Sequence, residues 1–117
     1  MPAARSPRFL ADCNVGRLAR WLRALGYDAE YHSKIGDAQL VALAQASGRV
    51  LLTRDLDLTH RRAVASGAVR AILLRGDRVE DQVRQVADEL GLTAERALTR
   101  CLECNLEPLC YSKDKTI

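Results

Sequence analysis

Residues 49–55 read Arg-Val-Leu-Leu-Thr-Arg-Asp, and this short apolar run that ends on an aspartate decides the fold class. A second run of the same kind, Arg-Phe-Leu-Ala-Asp, occupies residues 8–12. Such runs are typical of strands that are buried on both faces of a parallel sheet. In an open α/β sheet, ligands bind at the edge where the strands end. We therefore predict that Asp12 and Asp55 reach one edge of the sheet and form a metal-assisted active site.

Apolar strand patterns alternate with helical periodicity along the rest of the chain. Strands are predicted over 8–12, 27–31, 50–53 and 69–74, and helices over 14–25, 37–47, 58–66, 80–90 and, shorter, 94–98. Asn14 is the predicted N-cap of the first helix, and glycines end the first four helices. In the fourth, Val83, Val86, Ala87 and Leu90 are expected to face the core. Four strand–helix units favour an α/β fold with a parallel sheet and right-handed crossovers.

Size and composition limit the classes of function. The 117 residues fit one domain, and aromatic residues are only 4%, which argues against base stacking as the main mode of recognition. No apolar run approaches the roughly 20 residues of a membrane span, and no signal-peptide core is present. We therefore expect a cytoplasmic protein without a membrane partner. The net charge of +3 comes mostly from arginine, which binds phosphate well.

Five aspartates follow strands or begin helices: Asp12, Asp37, Asp55, Asp57 and Asp77. Clustered carboxylates repel one another, and Mg²⁺ or Mn²⁺ would relieve that repulsion and activate water against a phosphodiester. Each of three members also has a structural interpretation. Asp37 and Asp57 stand where helix N-caps occur, and Asp77 follows Gly76 in a turn. Asp12 and Asp55 each close a buried strand, where a charged group needs a partner or a metal.

Neighbouring side chains suggest how phosphate would be held. Thr53 has a hydroxyl to donate to a carboxylate or a phosphate, and Arg54 is a candidate contact to the nucleic-acid backbone. Arg17, Arg20 and Arg23 recur every three residues on the first helix. This stripe is either a solvated helix face or a phosphate-contacting surface that Arg61 and Arg62 extend. Cys13, beside Asp12, is expected to be a small buried apolar residue.

Several blocks together resemble the mut-seven C-terminal RNase family of PIN-like nucleases. The resemblance covers about residues 9–105 and rests on Asp37, Gln82 and the blocks 9–12, 16–23, 25–28, 48–55 and 100–105. It implies a PIN-like three-layer α/β/α fold and metal-dependent RNA cleavage at an acidic site. The family pattern falls on Asp12, Asp37 and Asp55. Asp57 and Asp77 compete for a fourth acidic position.

The resemblance also divides the chain into a nuclease domain, residues 1–99, and a cysteine-containing tail, residues 100–117. In the family, the Arg-Cys-x-x-Cys-Asn block at 100–105 opens a zinc ribbon that needs a second cysteine pair. Here Cys101 and Cys104 are followed only by Cys110. A partial zinc site, a site shared between two chains and plain thiols all stay open.

The sequence is compatible with three functions. The first is a ribonuclease that uses Mg²⁺ or Mn²⁺ on Asp12, Asp37 and Asp55 and contacts RNA through arginines, namely Arg17, Arg20 and Arg54. The second is an RNA-binding module or accessory subunit that has lost catalysis. The third is a phospho-acceptor receiver domain, which also needs a paired acid at the first strand and a lysine after a late strand. The chain has Cys13 and Arg75 at those places, and the receiver interpretation is ranked last.

Overall fold

The structure, a computed structural model, describes residues 7–92. Strands and helices alternate along this part of the chain, as the sequence predicts. The strands are β1 (Phe9–Ala11), β2 (Ala29–Tyr31), β3 (Val50–Thr53) and β4 (Ala71–Leu73). The helices are α1 (Gly16–Ala24), α2 (Asp37–Ser47), α3 (Leu56–Thr59), α4 (Arg62–Ala65) and α5 (Val79–Leu90). The predicted short helix over 94–98 lies outside the described residues.

The four strands form one parallel sheet in the order β2-β1-β3-β4. The chain first builds outward from β1 to β2 and then crosses to the other side of β1 to form β3. The order therefore reverses between β1 and β3, where Ala11 pairs with Leu52. Open α/β sheets bind their ligands at such a switch point, outside the carboxyl ends of the strands. Asp12 and Asp55 follow the two strands that flank it.

Helices cover both faces of the sheet, which gives three layers. On one face, Phe9 and Leu52 of the sheet pack with Leu18 and Leu22 of α1 and Val86 of α5. On the other face, the core consists of alternate sheet residues with residues of α2, α3 and α4, among them Leu10, Leu51, Leu40, Ala44, Leu58 and Val64. The alternation of successive strand residues between the two cores is what a sheet covered on both faces requires. The α/β class is confirmed, and the architecture is compatible with a PIN-like fold.

The helix starts differ from the sequence prediction. Asn14 is not an N-cap: Cys13–Val15 form a 3₁₀ turn, and Asp12 caps it by accepting a hydrogen bond from the backbone N–H of Cys13. α1 begins only at Gly16. The predicted helix 58–66 is two short helices, because Arg61 is extended (ψ 147°) and interrupts the helical backbone. Asp12, at the end of β1, therefore caps the turn that the sequence pattern predicted Asn14 to cap.

Two glutamines of α5 are buried, which the apolar pattern did not predict. Gln85 Nε2 donates to Leu73 O (2.9 Å), and Gln85 Oε1 accepts from the N–H of Arg75 (3.0 Å). Gln82 Nε2 donates to Gly76 O (3.0 Å). These side-chain amides form hydrogen bonds with the backbone N–H and C=O groups at the end of β4. Within the described residues, no further strand pairs with these groups. Ala87, predicted to face the core, is only half-buried.

A buried arginine ties the sheet together at the edge opposite the strand-end aspartates. Arg49 contacts Asp28 Oδ1 (2.7 Å) and Glu30 Oε2 (3.0 Å) and donates to Phe9 O (3.1 Å). It therefore joins β3 to β1 and to the start of β2. Among residues 7–92, no helix combines the length and the apolar character that crossing a bilayer requires.

Candidate active site

Within residues 7–92, Asp12 is the most buried of the predicted site residues, with 6% of its surface exposed. Its backbone N–H continues the sheet ladder by donating to Leu52 O (2.9 Å). Its carboxylate accepts two hydrogen bonds, one from Thr53 Oγ1 to Oδ2 (2.7 Å) and one from the Cys13 N–H to Oδ1 (2.5 Å). Both oxygens are therefore held in place, and each keeps a lone pair for a further partner.

The hydroxyl of Thr53 links the two strand ends. While it donates to Asp12, it accepts from the backbone N–H of Asp55 (2.9 Å). Thr53 is fully buried, so water does not compete for this hydroxyl. The predicted role of Thr53 as a donor to a carboxylate is confirmed. The bond also fixes the backbone turn that carries Asp55.

Asp55 is half-buried and caps α3, because its Oδ1 accepts from the N–H of Asp57 (2.9 Å). The predicted cap at Asp57 is wrong, since Asp57 lies in the first turn of α3, where it is exposed. The predicted cap at Asp37 is wrong for the same reason. Gly36 occupies the cap position of α2, and Asp37 lies in the first turn, half-buried. A carboxylate in the first turn still interacts favourably with the helix dipole.

The thiol pKa of Cys13 depends on the carboxylates at this edge. The prediction that it is buried is wrong: the 3₁₀ turn directs it to the surface, where it is exposed. A hydrogen bond with Asp12, followed by desolvation and the charge of Asp12, raises the pKa of the Cys13 thiol above its ordinary value. The charge of Asp37 raises the pKa further.

A cleft of ≈ 560 Å³ opens beside the 3₁₀ turn, bordered by Cys13, Arg17, Tyr31, Arg54 and Asp77. The Tyr31 hydroxyl donates to Cys13 O (3.4 Å), and its ring lies 2.9 Å from where a Cβ on Gly16 would be. Glycine at position 16 therefore lets the ring cover the start of α1. The sequence offered no signal for Tyr31 beyond its place at a predicted strand end.

Arg54 and Asp77 meet across this cleft. Arg54 Nη2 donates to Asp77 Oδ1, and Asp77 is much more exposed (83%) than Arg54 (40%). Arg54, predicted to contact RNA, has an acidic partner here. Arg17 also lines the cleft, whereas Arg20 faces a neighbouring groove between α1 and α5.

Carboxylate oxygens, which divalent ions such as Mg²⁺ prefer as ligands, follow both β1 and β3 at this edge. Within residues 7–92, no three or more His, Cys, Asp or Glu side chains form a group that could hold a metal ion. Mg²⁺ typically takes only one or two protein carboxylates and completes its shell with water and phosphate oxygen. The oriented Asp12 fits that pattern, with Asp55 on the neighbouring strand end. Cys101, Cys104 and Cys110 lie outside the described residues, so zinc stays a prediction.

Comparison with known proteins decides the family. The family model described as the Mut7-C RNAse domain matches residues 7–117. The chain belongs to the Mut7-C RNase domain family. This confirms the resemblance seen in the sequence, and membership of the Mut7-C family supports a ribonuclease-type function with RNA as substrate. No curated protein and no solved structure gave a match.

Proposed function

We propose that this chain is a metal-dependent ribonuclease that hydrolyses RNA phosphodiesters at the edge formed by Asp12, Asp37 and Asp55. The observation that carries the proposal is the position of Asp12. It is a buried carboxylate at the switch point of a chain of the Mut7-C RNase family, and among residues 7–92 only hydrogen-bond donors without charge contact it. A buried anion without a cationic partner is costly, and a bound cation would offset that cost.

The site residues would hold the metal ion and position the substrate phosphate. When bound, Mg²⁺ or Mn²⁺ supplies an activated water and neutralises charge on the phosphate. Thr53 and the Cys13 N–H hold the Asp12 carboxylate in one orientation, so that it meets the ion without rearranging. Asp55, and Asp37 at the start of α2, add negative charge to the same edge. Arg17, exposed on the wall of the cleft, would position the substrate phosphate.

One observation favours a second candidate, an RNA-binding module without catalysis. The described carboxylates do not form a three-ligand group. Such a module would bind RNA through its arginines, with an affinity that falls as salt concentration rises. Its RNA affinity would not respond to Mg²⁺.

The test compares RNA cleavage by the unmodified chain and by the Asp12→Asn, Asp55→Asn double variant, with Mg²⁺ or Mn²⁺ added. We expect the double variant to be slower by about 100-fold or more, since even outer-shell changes cost metal sites up to that factor. Asp88→Asn, the same change at an exposed position of α5, is the matched control and should cleave normally. Equal cleavage by all three proteins would show that a contaminant cuts the RNA. Binding that ignores both Mg²⁺ and the substitutions would favour the module.

A further inference from the structure

A groove of ≈ 480 Å³ runs between α1 and α5, and Arg17 is the residue that it shares with the proposed chemistry. One of its lining residues is Trp21, which leaves 48% of its surface exposed. Trp21 is the only tryptophan among the 117 residues. The remaining lining residues come from the same two helices: Arg17, Arg20, Ala24, Val79 and Glu80. A half-exposed indole in a groove that arginine also lines suits a ligand that has both an aromatic face and negative charge.

The groove adjoins the cleft beside the 3₁₀ turn that follows Asp12. Arg17, Val79 and Glu80 line both of them. α1 begins directly after the 3₁₀ turn that Asp12 caps, and Trp21 lies four residues beyond Arg17 on the same helix. At 1.5 Å per residue, Trp21 is about 6 Å further along the helix axis than Arg17. A flexible polymer held at the cleft would therefore pass Arg17 and reach the indole.

The charge of the groove matches a nucleic-acid strand. Arg17 contributes a cation, and Glu80, the one carboxylate among the described lining residues, has Arg78 within 3.7 Å. Arginine beside an exposed aromatic ring is the combination that binds single strands, because phosphate meets the cation while a base stacks on the ring. Protein interfaces are also enriched in tryptophan and arginine, so the size measurement below distinguishes a second copy of the chain from RNA.

We propose that the α1–α5 groove holds a nucleotide that neighbours the scissile phosphate, with its base stacked on Trp21 and its phosphate on Arg17. The proposal rests on the proposed ribonuclease function, because it takes the sheet edge that carries Asp12, next to this cleft, as the place of cleavage. It makes the substrate a single-stranded segment, since a base within a duplex cannot present its face to the indole. With one aromatic platform, recognition is tolerant of sequence, because every base has a face to stack.

The single tryptophan makes the proposal directly measurable. The full chain carrying Asp12→Asn and Asp55→Asn, with Mg²⁺ present, is titrated with a single-stranded oligoribonucleotide that has a fluorescent label at one end. Label anisotropy reports binding, and fluorescence excited at wavelengths that the three tyrosines do not absorb reports Trp21 alone. We expect the indole fluorescence to be quenched along the same curve as the anisotropy rises. A rise in anisotropy with unchanged indole fluorescence would overturn the groove assignment and leave the ribonuclease proposal standing. The absence of any RNA binding would also overturn the groove assignment. The ribonuclease proposal would then be tested separately, by RNA cleavage with the unmodified chain.

Substitutions of Trp21 and Arg17 distinguish contacts with RNA from a purely structural role of these residues. Trp21→Leu, which keeps an apolar side chain, should weaken RNA binding roughly 10-fold, and Trp21→Phe should retain most of the affinity. Arg17→Ala should reduce the slope of log affinity against log salt by about 0.7, the value for one phosphate contact to a single strand. Arg70→Ala, an exposed arginine before β4 at the opposite edge, should leave the slope unchanged.

Cleavage kinetics and size complete the test. With Asp12 and Asp55 intact, Trp21→Leu should raise KM and leave kcat within about twofold, because the stacked base is bound alike before and during the reaction. If the groove instead joins two copies of the chain, the unmodified protein elutes as a dimer and Trp21→Leu as a monomer, with equal RNA affinity. That result would overturn the proposal in favour of a protein interface.

Discussion

Thr53 Oγ1 donates a 2.7 Å hydrogen bond to Asp12 Oδ2 and so fastens the end of β3 to the carboxylate that ends β1. The same hydroxyl accepts from the N–H of Asp55. One buried side chain therefore sets the position of both strand-end aspartates relative to the sheet. It does so at the switch point, where the two strands pair in parallel register and an α/β sheet exposes its ligand-binding edge.

Removing this hydroxyl should affect stability and cleavage together. Thr53→Val keeps the shape but leaves Asp12 Oδ2 without its donor and the Asp55 N–H without its acceptor. Unsatisfied buried groups cost about 1–3 kcal/mol each, so we expect the free energy of unfolding to fall by about 2 kcal/mol. RNA cleavage should fall by about 10-fold or more, because Asp12 loses its fixed orientation. Urea unfolding and cleavage rates measure the two effects.

Thr53→Ser is the matched control for this prediction. Serine keeps the hydroxyl and loses one methyl group, so cleavage should return close to the unmodified rate while a small loss of stability remains. If serine is as slow as valine, the methyl group rather than the hydrogen bond matters, and the assigned role of Thr53 is wrong.

The sequence predicted those features that depend on neighbours in the chain. The run 50–53 correctly indicated a buried strand followed by a carboxylate, because apolar content and chain order are local properties. Helix caps were misplaced at Asn14, Asp37 and Asp57, since several adjacent polar residues can cap a helix and only the backbone angles decide among them. Each true cap lies one or two residues away.

Contacts between distant residues could not be predicted from such patterns. Arg54 pairs with Asp77, 23 residues away, and Tyr31 covers Gly16, because the sheet order places β2 and β4 on either side of the β1–β3 pair. Arg49 was visible in the sequence only as the residue before a strand. Its partners become known once β2 is placed beside β1.

Arg49 should be required for folding but not for cleavage. Its guanidinium is 7% exposed and contacts the carboxylates of Asp28 and Glu30 at the edge opposite Asp12. Arg49→Met takes the cation from the carboxylates of Asp28 (23% exposed) and Glu30 (39% exposed) and removes the donor to Phe9 O, so it should lower the free energy of unfolding by about 2 kcal/mol. Arg70→Met, at an exposed position, should change it by less than about 0.5 kcal/mol. Urea denaturation followed by fluorescence measures both, and an equal effect of the two substitutions would contradict the structural role.

Cys13 should report the charge of Asp12. Because the pKa of its thiol is raised, chiefly by the hydrogen bond with Asp12, Cys13 carries less thiolate at pH 8 than an ordinary cysteine and should react slowly with iodoacetamide. Asp12→Asn removes the negative charge, so the pKa should fall and the pH–rate profile of alkylation should move to lower pH. Mass spectrometry of the peptide that contains Cys13 distinguishes it from the other cysteines. Asp88→Asn should leave the profile unchanged, and superimposable profiles for Asp12→Asn and the unmodified chain would refute the coupling.

Arg54 and Asp77 should have opposite effects on RNA binding. If phosphate competes with Asp77 for the Arg54 guanidinium, Asp77→Asn should raise RNA affinity and Arg54→Ala should lower it, each by about threefold, as expected for an exposed pair worth under 1 kcal/mol. Labelled-RNA anisotropy at fixed salt measures both variants. The same pair of proteins tests the fourth acidic position, because a metal ligand at Asp77 would make Asp77→Asn lose Mg²⁺-dependent cleavage. Tighter RNA binding with normal cleavage would assign Asp77 to Arg54 and leave Asp57 as the remaining candidate for that position.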